Sequence, residues 1–272
     1  MGFWRDKVVL VTGASRGIGE AMVNKLAQSG SRLVLTARAE QKLCQLAKQL
    51  TEAGTECIYL AADTRDQKAV KQVVHYGLDC WGRIDVLINN AGVGLRGPVE
   101  TLNPSQLMEA MAVNVSGPLH FIQAVLPQFK EQGSGLVINI ASLGAVQTAP
   151  NIGGYAATKA ALVKLGEALR LEHQDSGIRV CTVYPGSVRT EFRQHALGNA
   201  YSNKEPRLSR IAPELVAERI LKYAASGNQY IFITAKDRLF ASLANIAPRL
   251  AEFLISQAFR RAQPDKIRGK EG

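Results

Sequence analysis

The fold class that this sequence predicts is α/β, with a doubly wound, seven-stranded parallel sheet in a single domain. Short runs of β-branched residues alternate with longer helical patterns, and this alternation is typical of consecutive βαβ units. Several of the runs are apolar almost throughout, as expected for parallel strands that helices cover on both faces. With 272 residues and 46% hydrophobic composition, the chain is long enough to bury such a core.

Seven strands are predicted from the apolar, β-branched runs. They lie at Val8–Thr12, Arg32–Thr36, Cys57–Ala61, Val86–Asn89, Leu136–Ile140, Arg179–Val183 and Gln229–Ile233. Gly30 and Gly54 stand where the first two helices are predicted to stop, and Asn103 before Pro104 is typical of a helix start. Because right-handed crossovers connect parallel strands, we expect residues 1–235 to form one doubly wound catalytic domain.

Two segments do not follow this alternation. Residues 186–212 form a long polar connection, of the kind that serves as a lid in compact domains, before a helix predicted to start at Pro213. Residues 236–272 are predicted to form a C-terminal helical extension of the same domain, which Pro248 divides into two helices. Apolar residues recur along the extension at steps of four and three, namely Leu239, Leu243, Ile246, Leu250 and Phe253.

The apolar stripe of the extension has two interpretations that stay open. Such a stripe packs on the body of the protein or across a homodimer, as amphipathic helices of globular proteins do. Because arginines flank the stripe, it could also lie on a membrane surface as a peripheral contact. We favour the first interpretation.

Composition and charge argue against several classes of protein. The four cysteines form no C-x-x-C pair and suit a reducing compartment, and the four histidines show no metal-ligand spacing, so we expect no metal. The net charge of +10 is spread along the chain without a basic block between aromatic residues, so we expect no nucleic-acid partner. No segment reaches the roughly 20 apolar residues of a membrane span. We expect a cytoplasmic protein, with peripheral membrane contact through residues 236–272 as the open alternative.

The first predicted strand ends in a glycine-rich turn that leads directly into a helix. The turn reads Gly13-Ala14-Ser15-Arg16-Gly17-Ile18-Gly19. Glycines here let the backbone approach a pyrophosphate, which then lies at the positive end of the helix. Because the turn joins the first strand to the first helix of a βαβ array, it predicts a dinucleotide site of the Rossmann type.

The end of the second strand indicates which dinucleotide binds. Enzymes that use NAD place a carboxylate there for the ribose hydroxyls, but this chain has Ala37 followed by Arg38. In NADP(H) the ribose carries a 2′-phosphate, and a guanidinium donates two hydrogen bonds to a phosphate at once. Arg38 can bind this phosphate, and Arg16 in the glycine turn can approach it as well. The two arginines therefore predict NADP(H) as the cofactor.

Tyr155 and Lys159 are the candidate catalytic pair. A spacing of four residues in an Ala- and Leu-rich helix puts the phenol and the ammonium on one face. Reduction of a carbonyl requires a proton at the oxygen while hydride reaches the carbon, and a free phenol with a pKa of about 10 is a weak donor near neutrality. A neighbouring ammonium stabilises the phenolate and so lowers the pKa of the phenol.

Ser142, just after the fifth strand, and Asn114, inside a long helical pattern, complete the candidate site. With the glycine turn, these two residues, Tyr155 and Lys159 resemble the short-chain dehydrogenase/reductase family over about residues 6–235. The resemblance implies that Ser142 orients the substrate oxygen, that Tyr155 is the general acid and base, and that Lys159 binds the nicotinamide ribose. It also implies that Asn114 kinks its helix and holds a water that relays protons to the lysine.

The resemblance also implies further contacts with NADP(H). Asp63 would accept the adenine amino group, although the N-cap of a helix near Thr64 is an alternative role, and Val188 and Thr190 would hold the carboxamide. The expected cofactor-binding residues are Gly13, Ser15, Arg16, Gly17, Ile18, Gly19, Arg38, Asp63, Thr64, Asn90, Ala91, Gly92, Tyr155, Lys159, Pro185, Gly186, Val188 and Thr190. Members that end soon after the seventh strand often form tetramers. The extension, which is similar to that of steroid- and lipid-acting members, therefore favours a homodimer.

The predicted function is NADP(H)-dependent hydride transfer between nicotinamide and a ketone, an aldehyde or a secondary alcohol, with three alternatives open. Basic residues in the 186–212 connection suit an acidic carrier and hence a 3-oxoacyl-(carrier protein) reductase, namely Arg189, Arg193, Lys204, Arg207 and Arg210. The same fold also supports a non-catalytic NADP(H)-binding sensor or scaffold. The third alternative is a membrane-docked interaction protein whose main feature is the extension.

Overall fold

The computed structural model describes residues 2–199 and 210–262 and has a parallel sheet at its centre. The strands in this part of the chain are β1 Val8–Thr12, β2 Arg32–Thr36, β3 Cys57–Tyr59, β4 Val86–Asn89, β5 Leu95–Arg96, β6 Gly135–Ile140, β7 Ile178–Tyr184, β8 Leu197–Gly198 and β9 Tyr230–Phe232. Seven of them form the sheet in the order β3-β2-β1-β4-β6-β7-β9, and every pair is parallel. The predicted doubly wound α/β fold is therefore confirmed.

Helices cover both faces of this sheet. They are α1 Gly17–Gln28, α2 Glu40–Glu52, α3 Gln67–Trp81, α4 Pro104–Met111, α5 Gly117–Glu131, α6 Gly153–Glu172, α7 Pro213–Ala225, α8 Ala235–Ile246 and α9 Pro248–Ala262. Because side chains alternate across a strand, Val9 and Val11 of β1 join the core beneath α1 and α7, while Val8 and Leu10 join the core beneath α3 and α5. Burial on both faces explains why the strand sequences are almost continuously apolar.

Local signals in the sequence mark the helix ends well. Gly30 and Gly54, just beyond α1 and α2, have φ of +77° and +86°, a conformation that glycine adopts without a steric penalty. The Asn103 side chain accepts a hydrogen bond of 2.8 Å from the backbone N–H of Ser105 and so caps α4. Helix α7 begins at Pro213, as predicted.

The structure differs from the sequence prediction at several strand ends and in one small sheet. Strands β6, β7 and β9 begin or end one residue away from their predicted bounds. Strand β3 ends at Tyr59, two residues before the predicted Ala61, because its ladder with β2 ends at the Leu35–Tyr59 pair. Strands β5 and β8 form a separate two-stranded parallel sheet that the sequence analysis does not include. A pairing of two residues per strand has no periodicity to detect, so tertiary contacts decide it.

The C-terminal helices α8 and α9 continue beyond the sheet and break at Pro248, as predicted. They are anchored through small residues, since Ala241, Ala244 and Ala251 are their buried apolar side chains. Among the described residues, no helix is long and apolar enough to cross a bilayer.

Several expectations stay predictions at this point. These are the homodimer, the peripheral membrane contact and the boundary of the extension at residue 235. Lys204 and Arg207 of the basic connection lie outside the described residues, as do residues 263–272 of the extension.

Candidate active site

The carboxyl ends of β1, β4, β6 and β7 open into a cleft of about 1630 Å³, at the edge where doubly wound sheets bind ligands. Most of the predicted site residues line it: Gly13, Ser15, Arg16, Gly17, Ile18, Arg38, Asp63, Thr64, Asn90, Ala91, Gly92, Ser142, Tyr155, Lys159, Pro185, Gly186, Val188 and Thr190. Two predicted residues, Gly19 and Asn114, are buried behind the lining.

The glycine turn packs so closely on its neighbours that side chains would not fit. Gly13 has a φ of +63°, and a Cβ at this position would lie 2.8 Å from the Cα of Ala91. A Cβ at Gly19 would lie 2.2 Å from the carbonyl oxygen of Gly13. In the structure Gly19 therefore lets the start of α1 approach the turn, and it makes no contact with the cleft.

Thr12, which the sequence analysis did not single out, joins the glycine turn to the end of β4. Its hydroxyl oxygen accepts hydrogen bonds of 3.0 Å from the backbone N–H groups of Asn90 and Ala91. The Asn90 side-chain amide in turn donates to the carbonyl oxygens of Thr12 and Gly13, each at 3.0 Å. A hydroxyl residue directly before the turn glycine was the available signal for this contact.

Positive charge surrounds the part of the cleft where β2 ends. Arg16, Arg38 and Lys42 line it, and Ala37 leaves the end of the strand without a carboxylate. Lys42 Nζ lies 3.9 Å from a carboxylate oxygen of Glu191 across the cleft, and both side chains are more than half exposed. Exposed pairs of this kind contribute little stability, so the lysine is available to an incoming phosphate.

Asp63 lies in the cleft but is paired with a neighbour. Its carboxylate accepts hydrogen bonds from Arg65, the shortest at 2.6 Å, and these hold the pKa of Asp63 below its usual range. The alternative role as an N-cap is wrong, because Asp66 caps α3 by accepting from the backbone N–H of Lys68 at 2.8 Å. The contact of Asp63 with adenine stays a prediction.

Lys159 is a buried cation in the floor of the cleft. Its side chain is 3% exposed, and Nζ donates a hydrogen bond of 2.9 Å to the carbonyl oxygen of Ile140 at the end of β6. Nζ lies 6.0 Å from the centre of the Tyr155 ring. Burial disfavours the ammonium and lowers the pKa of Lys159 to about 8.

Asn114 lies in a π-helical turn, residues Ala112–Ser116, between α4 and α5. Its side chain is fully buried and makes three hydrogen bonds: Oδ1 accepts from Val93 N–H at 2.8 Å, and Nδ2 donates to Val93 O at 2.8 Å and to Thr158 Oγ1 at 2.9 Å. Single π-helical turns are frequent at functional sites.

Gly92 brings this amide close to the lysine. A Cβ at Gly92 would lie 3.1 Å from Asn114 Oδ1 and 3.3 Å from Lys159 Nζ, so both polar atoms border the same small space. The amide thus links the end of β4 to α6 beside the buried ammonium.

Tyr155 and Ser142 face the same cleft from two different elements. Ser142 follows β6 in an extended conformation, and its Oγ accepts a hydrogen bond of 3.1 Å from Gly144 N–H, so its own O–H can donate to a ligand. Tyr155, in the first turn of α6, is half-buried, and its ring centre lies 5.8 Å from that of Phe192 in an edge-to-face contact. Sequence reasoning missed Phe192, which lies in the connection predicted as a lid.

The segment after β7 crosses in front of the glycine turn. Arg189 N–H donates to Ile211 O at 2.9 Å, which joins the two ends of the 186–212 connection. The methyl group of Thr190 would lie 3.1 Å from a Cβ at Gly17, so this segment packs against the turn, and both line the cleft.

The C-terminal helices also reach the cleft, which the sequence analysis did not predict. Phe240 of α8 and Ile255, Ala258 and Phe259 of α9 are part of its lining. The amphipathic pattern indicated an apolar face but carried no information about which surface that face meets.

Known proteins are similar to this chain in sequence. An uncharacterized oxidoreductase of Staphylococcus epidermidis is 37% identical over 190 residues, which cover 70% of this chain and 81% of the relative.

Two solved structures share the fold. A short-chain dehydrogenase/reductase of Burkholderia phymatum in complex with NAD has a TM-score of 0.83 at 25% identity, covering 92% of this chain and 96% of the other. An alcohol dehydrogenase of Thermococcus sibiricus complexed with 5-hydroxy-NADP has a TM-score of 0.74 at 30% identity, covering 84% and 96%. The sequence pattern of the short chain dehydrogenase family matches residues 7–199. This chain therefore belongs to the short-chain dehydrogenase family of oxidoreductases.

Proposed function

We propose that this oxidoreductase uses NADP(H) and interconverts a ketone or aldehyde with the corresponding alcohol, with Tyr155 as the general acid and base. The observation that carries the proposal is the buried ammonium of Lys159, which lies in the floor of a cleft lined by Tyr155 and Ser142. Burying a cation is costly, and groups with strongly shifted pKa values in a cleft are candidates for catalysis.

The residues of the cleft fit a dinucleotide with a 2′-phosphate. The positive φ of Gly13 and Gly17 leaves the turn backbone open to a pyrophosphate at the start of α1. Arg16, Arg38 and Lys42 supply positive charge beside the end of β2, where a ribose 2′-phosphate would need it. When bound, the nicotinamide supplies or accepts the hydride.

The protein's own groups would manage the proton and the orientation of the substrate. For reduction, the Tyr155 hydroxyl donates a proton to the carbonyl oxygen, and the adjacent Lys159 ammonium stabilises the phenolate that forms. The Ser142 O–H donates a hydrogen bond to the same oxygen. Asn114 acts as a positioning residue, since its bonds to Val93 and Thr158 hold the elements on either side of Lys159.

A substrate panel tests the proposed reaction. NADPH consumption is measured with ketones, aldehydes and 3-oxoacyl thioesters, and the alcohol product is identified. Turnover of simple ketones or aldehydes is expected. Turnover of thioesters alone would instead favour the 3-oxoacyl reductase, and NADPH binding without turnover of any class would favour the non-catalytic sensor.

The cofactor preference is tested by Arg38→Ala. Losing a charge-assisted contact to the phosphate is expected to raise the KM for NADPH by about tenfold to a hundredfold, while the KM for NADH changes little. Arg32→Ala is the matched control, because Arg32 lies at the opposite end of β2 and pairs with Glu56. Equal effects of Arg38→Ala on both cofactors would contradict the preference for NADP(H).

A further inference from the structure

The C-terminal helices carry large apolar side chains that packing on the rest of the protein does not fully bury. The buried apolar residues of α8 and α9 are Ala241, Ala244 and Ala251, whereas the large apolar residues are half-buried or exposed. Since apolar surface left in water is unfavourable, we expect these larger side chains to contact another molecule.

Three of the large side chains face the cleft of the candidate active site. Phe240 of α8 and Ile255 and Phe259 of α9 are half-buried and line it together with Tyr155 and Ser142. A capping box defines the start of helix α8: Thr234 Oγ1 accepts from Asp237 N–H at 3.0 Å, and Asp237 accepts from Thr234 N–H at 2.9 Å.

The start of α8 is also in close contact with the segment after β7. A Cβ at Gly186 would lie 3.2 Å from a carboxylate oxygen of Asp237, so the start of α8 lies directly beside this segment. The Arg219 guanidinium donates to the carbonyl oxygen of Ile233 and holds the turn between β9 and α8. The apolar side chains are therefore presented to the cleft by a well-anchored helix.

Other residues that line the cleft are apolar as well. Leu143 and Ile152 line it beside Ser142, and Phe192 contacts the Tyr155 ring. Charged groups also border this region, but two of them are engaged: Arg193 donates to Ser187 Oγ at 3.2 Å, and Asp237 is held in the capping box. A ligand that fills the cleft would therefore meet hydrocarbon from these residues as well as from the C-terminal helices.

We propose that α8 and α9 form the apolar wall of the substrate site, so that the preferred substrate is an alcohol or ketone on a large hydrocarbon body. This inference rests on the proposed function, because the oxygen of such a substrate would face Tyr155 and Ser142. Short, polar hydroxy acids and sugars would leave the side chains of Phe240, Ile255 and Phe259 uncovered.

A series of methyl ketones from 2-butanone to 2-dodecanone tests the proposal through NADPH oxidation. For the wild type, kcat/KM is expected to rise with chain length. In the double variant Phe240→Ala/Phe259→Ala, kcat/KM for 2-dodecanone is expected to fall about tenfold or more, while that for 2-butanone changes little. Phe253→Ala is the matched control, since Phe253 also lies on α9 but is 56% exposed and outside the cleft.

Two results would contradict the proposal that α8 and α9 form this wall. One is a wild-type kcat/KM that does not depend on the chain length of the ketone, and the other is an equal loss of kcat/KM in the double variant and in Phe253→Ala. If no ketone is turned over, the proposed function fails and the wall is tested separately by calorimetric titration with 2-dodecanone. Binding by the wild type and Phe253→Ala but not by the double variant supports the wall. Equal binding by all three proteins, or by none, refutes it.

Discussion

Two regions of this molecule depart from the usual distribution of polar and apolar side chains, and they do so in opposite ways. Lys159 in the floor of the cleft, and Asn114 and Thr158 behind it, are polar residues that are at most 3% exposed. On the outer side of α8 and α9, large apolar side chains such as Leu239 and Ile246 are 70% and 84% exposed. Buried polar groups and exposed apolar side chains are the departures that point to function or to a binding partner, and this chain has both.

The floor of the cleft and the C-terminal helices are also held in place by different kinds of contact. The floor is fixed by hydrogen bonds between strand ends and α6, so its geometry depends on a few directional contacts. The C-terminal helices are fixed by small buried alanines and a capping box, which leave the large side chains for other contacts. Variants in the floor should therefore alter both stability and chemistry, while variants on the outer helix face should alter neither.

Lys159→Met should have the largest effect. Loss of the ammonium beside Tyr155 is expected to lower kcat/KM at least a hundredfold. The same variant should be more stable than the wild type below pH 8, by about 1–3 kcal/mol, because the protein no longer buries a charge. Activity assays and urea unfolding at several pH values measure the two effects.

The pH dependence of that stability difference has a definite sign. The pKa of Lys159 is lowered from 10.5 in the unfolded chain to about 8 in the fold, so the cost of burying the ammonium is complete below pH 8. As the pH rises from 8 towards 10.5, the native lysine is neutral and the advantage of the variant disappears. Lys164→Met, at an exposed position of the same helix, should show neither effect. A stability difference that grows with pH would contradict the assignment.

Asn114→Ala should have the next largest effect, mainly on stability. The substitution removes three hydrogen bonds and leaves the backbone N–H and C=O of Val93 without their partner, at an expected cost of about 2–4 kcal/mol. Thr158→Val is the comparison. It removes one of the three bonds of Asn114 and the hydrogen bond of 2.8 Å that Thr158 Oγ1 donates to the carbonyl oxygen of Tyr155, and it should cost about 1–2 kcal/mol. Urea unfolding checks the order, and a larger loss for Thr158→Val would show that the amide is not the main link.

Ile246→Ser should have the smallest effect. At 84% exposure the side chain has few packing contacts to lose, so the free energy of unfolding should change by no more than about 0.5 kcal/mol. Thermal unfolding of the isolated full chain is the measurement. A loss above about 2 kcal/mol would mean that this face is buried in solution, for example against a second copy.

The sequence predicts the local parts of the site well, because each depends on neighbours along the chain. Gly13 marks a tight turn, Asn103 a helix start, and Tyr155 and Lys159 one helix face. The β5–β8 pair and the hydrogen bonds of Asn114 to Val93 and Thr158 could not be predicted, since they depend on residues that the fold brings together.

The C-terminal helices show the same limit more clearly. Their amphipathic pattern and the break at Pro248 were predictable, but the approach of Phe240 and Phe259 to the cleft was not. An apolar stripe does not predict which surface it will contact, because hydrophobic contact is not directional. The partner surface becomes visible only in the fold, where Phe240, Ile255 and Phe259 line the cleft.

Tyr155→Phe tests whether the hydroxyl of this residue exchanges the proton with the substrate. The variant removes one oxygen atom and keeps the ring that contacts Phe192, so the cleft should stay intact. The measurement is kcat for NADPH-dependent reduction of a substrate that the wild type accepts, with NADPH binding as a second readout and Tyr223→Phe, on the surface of α7, as the control. We expect kcat to fall by about a hundredfold or more while NADPH binding stays unchanged. A kcat equal to that of the wild type and of Tyr223→Phe would contradict it.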